Sequence, residues 1–200
     1  MIAASEARAE PAARQDPALA AARRALVGEV LGLDRAGLRA RLRAGHDVDP
    51  QQLAGWVYRG TSLGLPGWVD RLAWKTFAKA FLAEGPVVRG WNVRLAQGTP
   101  EVLPLERRGA PWTFGHFQVT GLGAEGRAPQ ALEAGVLLDY GLGRHAALDP
   151  LGCLRDPLVA LLPGDPTLLL GWSYLALGPL RAGTPSYFLL ERHAPLDHVA

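Results

Sequence analysis

Trp56-Val57-Tyr58-Arg59-Gly60 opens the extended part of this chain, and Tyr187-Phe188-Leu189-Leu190-Glu191-Arg192 closes it. A sheet that curls into a barrel has to pair its first strand with its last, so an aromatic ring at one end and an arginine at the other are placed to meet. The indole of Trp56 or the phenol of Tyr58 then covers the open bottom. The Arg192 guanidinium stacks on a ring face and donates to nearby carbonyls. Between residues 56–62 and 186–192 come further short runs bounded by glycine and proline, at 87–95, 101–107, 112–120, 135–140, 154–162 and 167–177. No helical segments alternate with them to cross between parallel partners. The expected fold is therefore mainly β, an antiparallel up-and-down barrel of about eight strands.

Helices are expected in two places. Residues 1–16 are rich in alanine and charge and read as a disordered tail. Over 17–54 the pattern is helical. Leu19, Leu26, Val27, Val30 and Leu31 share a side up to Gly32, Asp34 caps a second segment carrying Leu38 and Leu42, and Asp49-Pro50-Gln51-Gln52 starts a last turn. These N-terminal helices are expected to pack on a barrel spanning 55–193, with 194–200 as a C-terminal tail. Inside the barrel region, 66–82 reads as one inserted amphipathic helix. Leu72, Ala73, Thr76, Phe77, Ala80 and Phe81 lie on one face, with Asp70, Arg71, Lys75 and Lys79 mostly off it.

The composition narrows the function classes. The chain has 200 residues, 48% of them hydrophobic, which is enough for one substantial core, and a formal net charge of only +2. Without a dense basic stripe, nucleic acid is not an expected partner. A lone cysteine, Cys153, and the lack of an apolar leader set the expected location as cytoplasmic. The longest uncharged run, 166–180, falls short of the ~20 residues that span a bilayer, so no transmembrane segment is expected. The oligomeric state is left open.

Trp56-Val57-Tyr58-Arg59-Gly60, Trp74-Lys75-Thr76-Phe77, Leu138-Asp139-Tyr140 and Tyr187-Phe188-Leu189-Leu190-Glu191-Arg192 together resemble the GXWXG family of bacterial and fungal proteins. That family's pattern is similar to the start-and-end signature of lipocalin-like barrels. The resemblance covers about residues 50–193. It departs from the family at the first motif, where Trp56 stands two residues before the centre in place of glycine and Tyr58 stands at the centre in place of tryptophan. The resemblance implies a barrel with an apolar interior that takes a small molecule.

Two short patterns match catalytic or cofactor motifs in spelling only. Gly60-Thr61-Ser62-Leu63-Gly64 spells a nucleophile elbow, with acids Asp139 or Asp156 and bases His193 or His198 downstream in hydrolase order. An elbow needs a central parallel strand running straight into a helix, and Leu65-Pro66-Gly67 intervene. Gly121-Leu122-Gly123-Ala124-Glu125-Gly126 spells a dinucleotide fingerprint but is followed by Arg127 and Pro129 rather than a long helix. The five histidines are scattered, none paired at ligand spacing, so neither metal nor cofactor is expected.

The leading expectation is a lipocalin-like barrel binding a small hydrophobic molecule in its lumen. Tyr58, Trp91, Asn92, Phe114, His116, Asp139, Tyr174 and Tyr187 are the candidate contacts, and Trp56 and Arg192 the structural closure. One alternative is a small barrel enzyme, a cyclase, isomerase or hydrolase, using His116 with Asp139 for proton transfer. The other is a barrel filled by its own side chains that serves as a structural or interaction module, since eight strands leave an interior just wide enough to fill.

Overall fold

The computed structural model describes residues 17–64, 75–99, 101–123, 130–144 and 149–200. Among these residues, three α-helices, α1 (Pro17–Leu31), α2 (Arg35–Arg43) and α3 (Pro50–Leu53), come first. Ten strands follow: β1 (Trp56–Leu63), β2 (Thr76–Glu84), β3 (Val87–Arg94), β4 (Glu106–Arg107), β5 (Ala110–Pro111), β6 (Thr113–Gly121), β7 (Val136–Asp139), β8 (Leu154–Leu162), β9 (Asp165–Leu177) and β10 (Leu180–Pro195). Eight of them close an antiparallel barrel in the order β1-β10-β9-β8-β7-β6-β3-β2, and β4-β5 form a separate two-stranded sheet. The expected eight-stranded antiparallel barrel with helices is what the chain forms.

Two of the expected elements are corrected. The inserted helix over 66–82 does not form at its C-terminal part: Thr76–Glu84 is strand β2, paired with β1 on one side and β3 on the other. Residues 65–74 lie outside the described residues, as does the tail at 1–16. Phe77, Ala80 and Phe81 satisfy a helical spacing, but Phe77, Lys79 and Phe81 alternating with Ala78 and Ala80 satisfy a strand spacing equally well. The two ladders decide between them, because a strand here meets every backbone group of both neighbours. The run at 101–107 is not a barrel strand. Only Glu106–Arg107 is extended, and it pairs with Ala110–Pro111 outside the barrel. The strand count holds because β2 replaces 101–107.

The α1 segment belongs to a unit of its own, Met1–Leu33, and within it Leu26 and Val30 are buried. The Asp34 side chain caps α2, accepting from the Gly37 N–H at 2.8 Å. α2 packs near β8 and β9, and the chain that leaves it covers an exposed edge. The four residues of β7 leave the far half of β8 unpaired, and there His46 exchanges backbone hydrogen bonds with Ala160 at 2.9 and 3.0 Å. α3 seals the lower end: Leu53 is fully buried in the barrel core, and the Gly55 N–H donates to the Phe81 carbonyl.

Candidate functional site

Among the described residues, the middle of the barrel's inner face is apolar except at one point. Tyr58, Phe81, Val88, Phe117, Val119, Val136, Leu138, Leu158, Leu169, Phe188 and Leu190 make one buried cluster with Phe77 packed against it. Lys79, on β2 between Phe77 and Phe81, is 2% exposed and points into this cluster. Its Nζ donates to Asn92 Oδ1 at 2.8 Å and to the Tyr140 hydroxyl at 2.6 Å, and lies 3.2 Å from Asp156 Oδ2. An ammonium has three N–H bonds to give, and here each has an acceptor.

The acceptors are themselves held. Asp156 Oδ2 also accepts from the Tyr140 hydroxyl at 3.0 Å, and its Oδ1 accepts from Ser173 Oγ at 2.7 Å. Asn92 Nδ2 donates to the Gly115 carbonyl at 3.1 Å. The group thus draws on β2, β3, β8, β9 and the residue following β7. Four rings box the ammonium, with centroids at 5.5 Å for Phe77, 5.2 Å for Phe117, 5.3 Å for Tyr140 and 5.0 Å for Phe188. Their faces carry the negative end of the ring quadrupole, so they complement the charge that Asp156 balances.

Three of those rings sit over glycines of the neighbouring strand, in direct register. Phe77 faces Gly60, Phe117 faces Gly90 and Phe188 faces Gly171. A methyl group added at Gly60 would meet the Phe77 ring at 2.4 Å, at Gly90 the Phe117 ring at 2.5 Å and at Gly171 the Phe188 ring at 2.1 Å. Glycine at each position leaves the volume that lets a ring lie across the lumen instead of along its wall.

Burial acts on the protons of this centre. It lowers the Lys79 amine below its ordinary value, with the Asp156 charge opposing the shift. It holds the Tyr140 phenol well above its own, with Asp156 adding to the effect. Between the lowered Lys79 value and the ordinary one near ~10.4, the unfolded chain keeps a proton the folded chain has released, so stability rises with pH through that window. Above ~10 the unfolded phenol ionises while the buried one stays protonated, so stability falls. Urea unfolding from neutral to alkaline pH is expected to show both limbs in the wild type, and Lys79→Met is expected to lose the rise but keep the fall. A variant that retained the rise would remove Lys79 as its source.

The seam between β1 and β10 joins the two ends of the barrel. Tyr58 and Arg192 are register partners. The guanidinium lies 4.6 Å from the Trp56 ring centroid, donates to the Tyr58 hydroxyl at 3.1 and 3.2 Å, and donates to the Gln52 carbonyl at 2.7 Å. The Tyr58 hydroxyl in turn donates to the Pro166 carbonyl at 2.8 Å. Both rings therefore take part in the closure. Arg192→Lys keeps the charge but loses the planar fork, and is expected to destabilise by about 1–3 kcal/mol in urea denaturation. An unchanged midpoint would show the seam to be held by its backbone ladder alone.

The other sequence candidates divide between the two faces of the sheet. Tyr58 and Asn92 face inward. Trp91 faces outward, in a cluster with Ala78, Ala80, Val93 and Leu95, and the His116 ring lies 6.2 Å from it. Tyr174 and Tyr187 alternate with the inward Ser173 and Phe188 and so gather outside around Trp172, at 5.6 and 6.3 Å. Phe114 is half-buried opposite Asn92, at a register shift in the β3–β6 ladder. Asp139 is buried against Arg155 on the adjacent strand, at 3.1 Å, and accepts from the Leu142 N–H. The expected luminal positions of Trp91, His116, Asp139, Tyr174 and Tyr187 are thus corrected by strand alternation. Ser62 lies within β1, between two antiparallel neighbours, which is not the setting of a nucleophile elbow.

No family model, no curated protein and no solved structure matches the chain. The site therefore has to be read from its own geometry. Lys79, Tyr140, Asp156 and Ser173 were not among the sequence candidates for the lumen. The available signal was Phe77-Ala78-Lys79-Ala80-Phe81, where a lysine shares its two-residue period with two phenylalanines and is flanked by alanines.

Proposed function

We propose that this protein is a self-filled, lipocalin-like barrel acting as a structural or interaction module, and that it does not carry a hydrophobic molecule in its lumen. The observation that supports this reading is the placement of Phe77, Phe117 and Phe188 over Gly60, Gly90 and Gly171, around a lysine whose three donors are satisfied. A carrier needs apolar volume that its ligand can enter, and here the barrel's own rings stand in the centre of that space. A small eight-stranded barrel can fill itself in this way. The Lys79–Asp156 pair suits the same role, because a charged group buried with all its partners favours one arrangement of strands over slipped registers.

The test is lipophilic-dye titration together with solvent extraction of the purified protein, run on the wild type and on Phe117→Ala. The wild type is expected to take up no dye and yield no extract, whereas Phe117→Ala, which opens a void beside Gly90, is expected to bind a small aromatic probe. A stoichiometric lipophile recovered from the wild type would overturn the reading and favour the carrier.

A further inference from the structure

The end of the barrel where β3, β7 and β9 stop and β6, β8 and β10 begin carries five exposed leucines on three separate connections. Leu103 and Leu105 stand between β3 and β6, Leu142 between β7 and β8, and Leu177 and Leu180 flank the β9–β10 turn. They are five of the nine large apolar side chains exposed among the described residues, whereas the tight β2–β3 turn at the opposite end exposes only Val87. Scattered single leucines need no explanation, but a set of them gathered at one end does. The geometry points to this rim as a docking surface for an anionic lipid membrane.

The β9–β10 turn reaches furthest. Leu177 and Leu180 are register partners and so stand side by side on one face of the hairpin, 46% and 59% exposed. Gly178, at φ 58°, and Pro179 make the turn between them, and Arg181 donates to the Gly178 carbonyl, which fixes its shape. Leu175 is the last β9 residue paired with β8, so Leu177 projects about 7 Å past that strand at ~3.4 Å per residue. That reach matches the ~5–10 Å to which apolar groups of interfacial proteins enter a bilayer.

Charge separates a lipid surface from a second copy of the chain as the occupant. Four exposed cations, Lys75, Arg107, Arg108 and Arg144, stand on the connections at this end against two exposed anions, Glu101 and Glu106. The half-buried groups tip the same way, with Arg94 and Arg181 against Asp149. Nearby, Asp139 pairs with Arg155, and Asp34 and Arg35 at the start of α2 are opposite in sign. Two such rims face to face would oppose like charges, whereas phosphatidylserine headgroups complement them. Guanidiniums at phosphate level leave their own stems and the neighbouring leucines in the acyl boundary. This partner is met by the loops and not by the lumen, so a lipophile recovered from the lumen would count against the filled barrel without touching the rim.

The experiment sediments the full chain with vesicles of phosphatidylcholine alone, or of phosphatidylcholine with a quarter phosphatidylserine. The wild type is expected to cosediment with the mixed vesicles and to bind phosphatidylcholine alone at least about fivefold more weakly. Leu177→Ser/Leu180→Ser is expected to weaken binding to the mixed vesicles at least about tenfold, and Leu142→Ser, on another connection, about threefold. Val87→Ser, at the opposite end, leaves it unchanged. Three results would overturn the assignment: no cosedimentation with the mixed vesicles, binding that survives both leucine variants, or binding indifferent to phosphatidylserine. A wild-type dimer that Leu177→Ser/Leu180→Ser dissolves, in a chain that ignores vesicles, would give the rim to a second copy instead.

Discussion

Lys79→Met is expected to destabilise the protein by about 3–5 kcal/mol, the cost of leaving a buried charge without its partner. Methionine matches the lysine stem in length, so the loss comes from Asp156 and not from a cavity. The carboxylate keeps Ser173 and Tyr140 but no longer has a cation, in a lumen walled by Phe77, Phe117 and Phe188. The double variant Lys79→Met/Asp156→Asn is expected to recover most of that loss, because an amide in place of the carboxylate removes the unpaired charge while keeping an acceptor. Urea midpoints of the wild type, both single variants and the double variant give the coupling directly. A Lys79→Met midpoint within about 0.5 kcal/mol of wild type, the size of an ordinary surface change, would mean that the ion pair does not organise the lumen.

Phe188→Ala is expected to cost about 3–5 kcal/mol, the range for removing a buried ring. Its partner substitution gives the more specific result. Gly171→Ala puts a methyl group 2.1 Å from the Phe188 ring, so in the wild type it should destabilise by about 1–3 kcal/mol through overpacking. In the Phe188→Ala background the obstruction is gone. There the same methyl is expected to be neutral or stabilising, because it occupies part of the void and alanine restricts the unfolded chain more than glycine. A coupling of about 0.5–3 kcal/mol in the four-member cycle is the signature of direct contact. Additive single effects would show that ring and glycine are neighbours by register only.

The closure was legible because it depends on two short stretches far apart in the chain, each with an unmistakable residue. Trp56 and Arg192 meet as the end motifs predict, and both Trp56 and Tyr58 serve, where the sequence left the choice between them open. In sequence the segment at 76–82 reads as helix because its apolar residues fit two periods at once, and what separates them is the presence of β1 and β3 on either side, a tertiary fact. The same ambiguity hides the site. With 66–82 drawn as a helix, Lys79 fell on a solvent face, although as a strand residue it shares the lumen with Phe77 and Phe81. The facing of β3 and β9 is hidden for another reason. Both sides of these strands carry buried apolar groups, because the outer side is also covered: Leu196 and Ala200 pack on the Trp91 cluster, and Trp172 is buried beside Tyr174 and Tyr187. Alternation in the sequence marks a water-facing side only where water is present.

The seam carries a kinetic consequence. The Tyr58–Arg192 bonds span 134 positions of the chain, whereas each hairpin along the rest of the barrel joins near neighbours. Loop-closure entropy places that junction late in folding. Until it zips, the nascent sheet has two bare margins, one of them the sixteen residues of β10, open to annealing with another unfinished copy.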